Sequence, residues 1–143
     1  MNNQSGMISI EAAVIIPITI AVTMLIIWLG IFFYNQNVMD VCSNQAAIVG
    51  GHLANLDNNE IQDITAETLN TLLADNLVMM DDVTSDISVD FGSVTVHVEG
   101  SLNIPSFFLF GDIYDTKFWS IDITNSAPRL RSSMFVRTIT NLK

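Results

Sequence analysis

Positive charge is what this sequence has least of. Five Lys and Arg stand against 15 Asp and Glu in 143 residues, for a formal net charge of −10. All five (Lys117, Arg129, Arg131, Arg137 and Lys143) lie from residue 117 onward, and no acid follows Asp122. Nucleic acid is therefore not an expected partner, because binding it draws on a basic surface. An acidic body ends in a basic tail, where the cations either are solvated or touch an acidic neighbour or anionic headgroups. Cysteine is almost missing too. Cys42 stands alone, so no internal disulfide framework holds the fold. Met39, Asp40 and Val41 before it do not form the small-residue run of a lipoprotein site. Cys42 reads as a small apolar residue in a helix seam, with an intersubunit disulfide as the alternative. Hydrophobic residues make up 50% and charged ones 14%, which fits a membrane-anchored chain and excludes wholesale disorder.

The longest stretch without charge lies near the start. Between Glu11 and Asp40 there is no charged residue, and Ala12 to Tyr34 is apolar apart from Thr19, Thr23, Pro17 and Gly30. As an α-helix these residues extend ~35 Å, enough for a hydrocarbon core of about 30 Å. Glu11 stands at the threshold of that run, where a carboxylate is costly and is a functional suspect by default. A cleaved secretory signal does not fit: MNNQSG has no Lys or Arg, the apolar run is too long, and YNQNVMDVC offers no cut site. A plain signal anchor fits the length and leaves Glu11 without a role. A pilin-like signal accounts for both. Gly6 is then the last leader residue, Met7 the first mature one and Glu11 the fifth. The Met7 ammonium of one subunit can meet Glu11 of its neighbour, a pairing that fixes the stagger of packed helices more than it stabilises them.

The stretch GMISIEAAVIIP resembles the start of TadE-like minor pilins (pseudopilins) of the Tad/Flp pilus system. In that family a Gly precedes the processing site, a Glu falls five residues into the mature chain, and a Pro often follows six residues later. Gly6, Glu11 and Pro17 occupy those places here. The resemblance continues through YNQNVMDVCSNQAAIVGG and is fainter in VTVHVEGSLNIP, WSIDITNSAPRLR and MFVR. The leader departs from the family pattern in carrying no Lys or Arg. The resemblance implies a non-enzymatic assembly role without a cofactor or metal. It also implies a prepilin peptidase that cuts between Gly6 and Met7, and sibling pilins, assembly-platform proteins and membrane lipid as partners. The positive-inside rule has no Lys or Arg to count near the span. By resemblance the leader is cytoplasmic and the C-terminal domain extracytoplasmic, with eventual release into a pilus as a further location. Trp28, Phe32, Phe33 and Tyr34 form an aromatic belt at the outer end. An uncleaved, anchored binding module is the second reading, and an anchored enzyme the third.

Downstream, the expected fold class is α+β. Residues 1–6 form the leader, 7–34 the transmembrane helix, 35–56 a helix extension and 57–143 an outward domain. In the extension, Val38, Cys42, Ala46, Val49 and Leu53 draw one apolar stripe, and Gly50-Gly51 weakens the helix near its end. A second helix is expected over 58–80, with Asp57 as N-cap and Glu60 completing a capping box. Ile61, Ile64, Leu69, Leu72, Leu73, Leu77 and Met80 form its apolar face, which predicts packing on a sheet.

Ile87, Val89 and Phe91 alternate with Asp86, Ser88 and Asp90, and after Gly92-Ser93 come Val94, Val96 and Val98 alternating with Thr95, His97 and Glu99. With Gly92-Ser93 as a two-residue turn, Phe91 pairs with Val94, Val89 with Val96 and Ile87 with Val98. Trp119, Ile121 and Ile123 predict a third strand, giving an antiparallel sheet of about three strands. The loop PSFFLFGD is unusually apolar and is expected to fold over the sheet edge or touch a partner. In this register Ser88 faces His97 with Asp90 on the diagonal, yet no nucleophile elbow or oxyanion signature accompanies them, so catalysis is not expected. His52 has no zinc-ligand spacing to His97 or Cys42. Asp81, Asp82 and Asp86 lack the EF-hand pattern and read as a solvated turn.

Overall fold

The computed structural model describes residues 4–53, 56–102 and 119–130, with side chains from residue 13 onward within those ranges. Five elements follow one another: α1 (Gln4–His52), α2 (Asn58–Asn76), β1 (Met80–Val89), β2 (Ser93–Leu102) and β3 (Ser120–Pro128). The strands form an antiparallel sheet in the order β1-β2-β3. The architecture is thus α+β, with a long apolar N-terminal helix, a second helix and three strands. The chain divides into two compact units, Met1–Tyr34 and Asn35–Lys143.

The first unit is helical from Gln4. Nine large apolar side chains between Val14 and Ile27 are 51–62% exposed, so the apolar surface runs around the helix and not along one face. A helix apolar all round belongs in a protein core or in lipid. Pro17 lies inside it and removes one backbone donor. The hydroxyls of Thr19 and Thr23 donate to the carbonyls of Ile15 (2.9 Å) and Thr19 (2.8 Å), which satisfies both polar groups within the helix itself.

In the second unit, the part of α1 from Asn35 to His52 buries Asn35, Met39, Cys42, Ser43, Ala46, Ala47 and Gly50. The expected stripe was set slightly off. Cys42 and Ala46 are buried, but Val49 is exposed and Val38 and Leu53 are half-buried. Small residues define the seam because the helix comes close to its neighbours. A Cβ on Gly50 would lie 2.5 Å from Thr65 Oγ1 and 3.1 Å from Val94 Cγ1; one on Gly51 would lie 2.7 Å from the Pro128 carbonyl oxygen. The expected extension to residue 56 is also too long, since α1 stops at His52 and Leu53 turns.

Ile61, Thr65, Leu69 and Leu73, spaced by four, form the buried line of α2. Asp57 occupies the N-cap position, but its side chain makes no capping hydrogen bond. The helix ends at Asn76, short of the expected residue 80. Leu77 is already extended, and Met80 opens β1. The cause is tertiary: Asn35 of α1 donates from Nδ2 to the Val78 carbonyl (2.7 Å) and accepts from the Val78 N–H (3.0 Å). That side-chain amide imitates a strand partner and holds Val78 out of the helix.

The sheet buries Val94, Val96, Val98 and Leu102 of β2, flanked by Ile87 of β1 and by Ile121 and Ala127 of β3. Each of the Val, Leu and Ile side chains contributes about 1.5–3 kcal/mol when fully buried. The apolar faces fall as alternation predicts, but the β1–β2 register does not. Val89 pairs with Val94 and Ile87 with Val96, a slip of two residues from the expected pairing. Phe91 leaves the sheet and is 62% exposed. The connection Asp90–Ser93 closes on itself through Asp90 N–H to the Ser93 carbonyl (2.9 Å). Arg129 grips it from the end of β3: its N–H donates to the Gly92 carbonyl (2.9 Å) and Nη1 to the Asp90 carbonyl (3.1 Å). β1 is longer than expected because a bulge at Asp82-Val83, opposite Gly100, breaks the alternation of its first half. The loop PSFFLFGD and the tail beyond Leu130 lie outside the described residues.

Candidate functional site: the N-terminal helix and its seat

Gly6, Met7, Glu11 and Pro17 all lie in α1. The stretch is helical even though β-branched Ile, Val and Thr are weaker helix formers than Ala and Pro17 lies inside it. One α-helical turn separates Met7 from Glu11, so the two stand on the same side of the backbone cylinder. After Glu11 the next ionisable group on α1 is Tyr34 and the next carboxylate is Asp40, which leaves the apolar run without internal charge. Its most apolar window has a mean hydropathy of 2.6, and none of that window is buried. By length and composition it is a candidate membrane helix.

The same helix is seated on the sheet through polar contacts that sequence reading did not single out. Asn125, on the core side of β3, donates from Nδ2 to Ser43 Oγ (2.8 Å), Asp40 Oδ1 (2.9 Å) and the Asp40 carbonyl (3.1 Å). Gly51 accepts from the Leu130 N–H (3.1 Å). Asn35 clasps Val78 as described. Arg129, expected to be a solvated or partner-directed cation, is instead 8% exposed and donates to Asn58 Oδ1 (2.8 Å) at the start of α2. Cys42 lies in the seam, 5% exposed, and burial pushes its thiol above the usual range. The buried-seam reading of this residue is the one the structure supports.

The solvent face of the sheet gathers a second group. Register places His97 between Asp86 and Thr124, and Glu99 directly opposite Asp122. His97 Nε2 lies 3.0 Å from Glu99 Oε1, while Nδ1 lies 2.8 Å from Thr124 Oγ1 and 3.5 Å from Asp122 Oδ1. Ligand atoms of His97, Glu99 and Asp122 fall within 4.8 Å of one another, a spacing open to a metal ion. The two carboxylates, however, face different ring nitrogens. A single ion bonds only one of these, so the arrangement suits an imidazole ring held between partners on both of its nitrogens better than a metal. Exposed pairs of this kind contribute about 0–1 kcal/mol. The Ser88–His97–Asp90 set is not assembled: Ser88 faces Thr95, and Asp90 lies in the hairpin connection.

A helix apolar on all sides, joined in sequence to an α+β unit, defines a protein with a candidate membrane anchor. Residues 6–47 match the family model of TadE-like proteins, so over that segment the chain is similar to that family. The match points to a structural, Tad pilus-associated protein. It takes in Gly6, Met7, Glu11 and Pro17 and continues through the seam residues Cys42 and Ala46. No curated protein and no solved structure matches the chain.

Proposed function

We propose that this protein is a minor pilin (pseudopilin) of a Tad/Flp-type pilus or a related secretion filament. A prepilin peptidase cuts between Gly6 and Met7, and α1 then holds the chain in the membrane until it joins sibling pilins on the assembly platform. The leader is cytoplasmic and the C-terminal unit extracytoplasmic. The observation that carries this reading is the coincidence, inside one TadE-like segment, of Gly6, Met7, Glu11 and Pro17 with the start of an exposed apolar helix. An apolar helix in lipid gains little from burying more apolar surface against its own kind. A charge pair at a defined step is therefore the feature able to set register, which is the role assigned to the Met7 ammonium and Glu11.

The test is the mass of the mature N-terminus after co-expression with a prepilin peptidase. Met7 is the expected first residue. Recovery of intact Met1 with an active peptidase overturns the processing step and favours an uncleaved anchor.

A further inference from the structure

Among the described residues Arg129 is the one Lys or Arg, and the fold withdraws it from water to 8% exposure. Its bonds engage only one of the guanidinium nitrogens. Nη1 donates to Asn58 Oδ1 (2.8 Å) and to the Asp90 carbonyl (3.1 Å), whereas Nε is buried with no hydrogen-bond partner. Both partners of Nη1 are neutral, and no described carboxylate forms an ion pair with the group. A cation buried beside neutral acceptors alone keeps an uncompensated charge, which is unfavourable. Tying Asn58 to the hairpin connection does not require that charge, since a neutral donor could make the same two bonds.

Asn58 is the first residue of α2, so the guanidinium stands at the N-terminus of that 19-residue helix. The Asp57 side chain at the N-cap position makes no capping bond, and the Asp57 carbonyl is met only by the N–H of Ile61. The N–H groups of Asn58, Asn59 and Glu60 thus belong to the donors that a helix does not satisfy within itself, and the helix dipole adds positive potential there. Two features favour a negative ligand at one place: a buried cation with an unused donor, and an uncapped helix start. Asn58, Asn59, Gly92 and Leu130 around them are exposed, so the place lies just below the surface.

Geometry and charge select the ligand. Nε–H and the neighbouring Nη2–H point along one edge of the guanidinium, the edge that receives two oxygens of a planar anion in parallel. Asp57, Glu60 and Asp90 close by disfavour a dianion such as phosphate. We infer that Arg129 and the first turn of α2 bind a single carboxylate, received on the Nε–Nη2 edge. It belongs either to a small free acid or to an Asp or Glu side chain of a second copy of this chain. The inference depends neither on the chain being a pilin nor on α1 spanning a membrane.

The experiment uses the full, isotope-labelled chain in detergent micelles. The Arg129 Nε–H signal and the amide signals of Asn58, Asn59 and Glu60 are followed by NMR as acetate replaces chloride at constant ionic strength. A saturable shift of all four is the expected result for a free acid. A side chain of a second copy would instead make the Nε–H signal shift on dilution of the protein, with acetate acting only on the dilute sample. A shift linear in acetate, or no shift with either acetate or dilution, overturns the site. Movement of the Nε–H signal in Asp57→Asn before any acetate is added also overturns it, because the chain's own acid then fills the edge. Arg129→Lys, which keeps the charge and loses the edge, should abolish the saturable shift at the three amides; a shift that persists there overturns the role of Arg129. Where that variant does not fold, the titration of the unaltered chain decides alone.

Discussion

Asn35 does the work of a strand with one side chain. It is fully buried, and it gives Val78 both a donor and an acceptor across 43 residues of sequence. Asn35→Ala removes both bonds at once. With a buried group left unsatisfied costing about 1–3 kcal/mol, the variant should lower stability by that order, read as a shift in the denaturant midpoint of the full chain in detergent micelles. Asn35→Asp should be no better, because a carboxylate cannot donate to the Val78 carbonyl. Recovery of normal stability by Asn35→Asp would show that the acceptor half alone matters. Arg129 plays a matching part at the far end of the seat. Its guanidinium, buried at the foot of α2, ties Asn58 and the Asp90 carbonyl together. It is a structural cation in an otherwise acidic body.

The helix seam is decided by how near α1 comes to its neighbours. Within a helix, Ala is favoured over Gly by about 1 kcal/mol, so Gly51→Ala judged on propensity alone should stabilise. The structure reverses the sign. The added Cβ would stand 2.7 Å from the Pro128 carbonyl oxygen, and that atom belongs to backbone at the end of β3 and cannot swing aside. Overpacking of this kind costs about 1–3 kcal/mol, so Gly51→Ala should lower the unfolding midpoint. Gly30→Ala, with nothing within 4 Å of the new Cβ, should leave it unchanged or raise it. Equal behaviour of the two variants would mean that the seat on Pro128 is looser than described. The same closeness explains why Ala46 and Ala47 are buried while larger Val41 and Ile48 remain outside.

For the proposed assembly, the group to test is Glu11. If its carboxylate meets the Met7 ammonium of a neighbour, Glu11→Ala leaves the apolar run and membrane insertion untouched and removes the feature that fixes the step between helices. The expected outcome is normal recovery in the membrane fraction and loss from sheared filament material, assayed with the sibling pilins co-expressed. Incorporation at the normal level would mean that register is set elsewhere along α1. Glu11→Asp, which keeps the charge on a shorter arm, should restore part of the incorporation.

Composition and periodicity were enough to determine the long apolar helix, the amphipathic α2 and the faces of the strands. Each is a property of residues near one another in sequence: a run without charge, a spacing of three and four, an alternation of two. The TadE-like start was legible for the same reason, since Gly6, Glu11 and Pro17 are defined by short spacings. What alternation cannot detect is a slip of two residues, because that slip keeps every side chain on its face. The choice between Phe91↔Val94 and Val89↔Val94 fell to Arg129, which grips the hairpin connection from the end of β3, beside the Ser93–Pro128 pair. In the same way α2 stops at Asn76 because Asn35 captures Val78, and the seam of α1 rotates because Asn125 reaches Asp40 and Ser43 from 82 to 85 residues away. Local pattern fixed which surfaces are apolar; register, helix ends and the fate of single polar side chains were decided by partners that only the folded chain brings within hydrogen-bond reach.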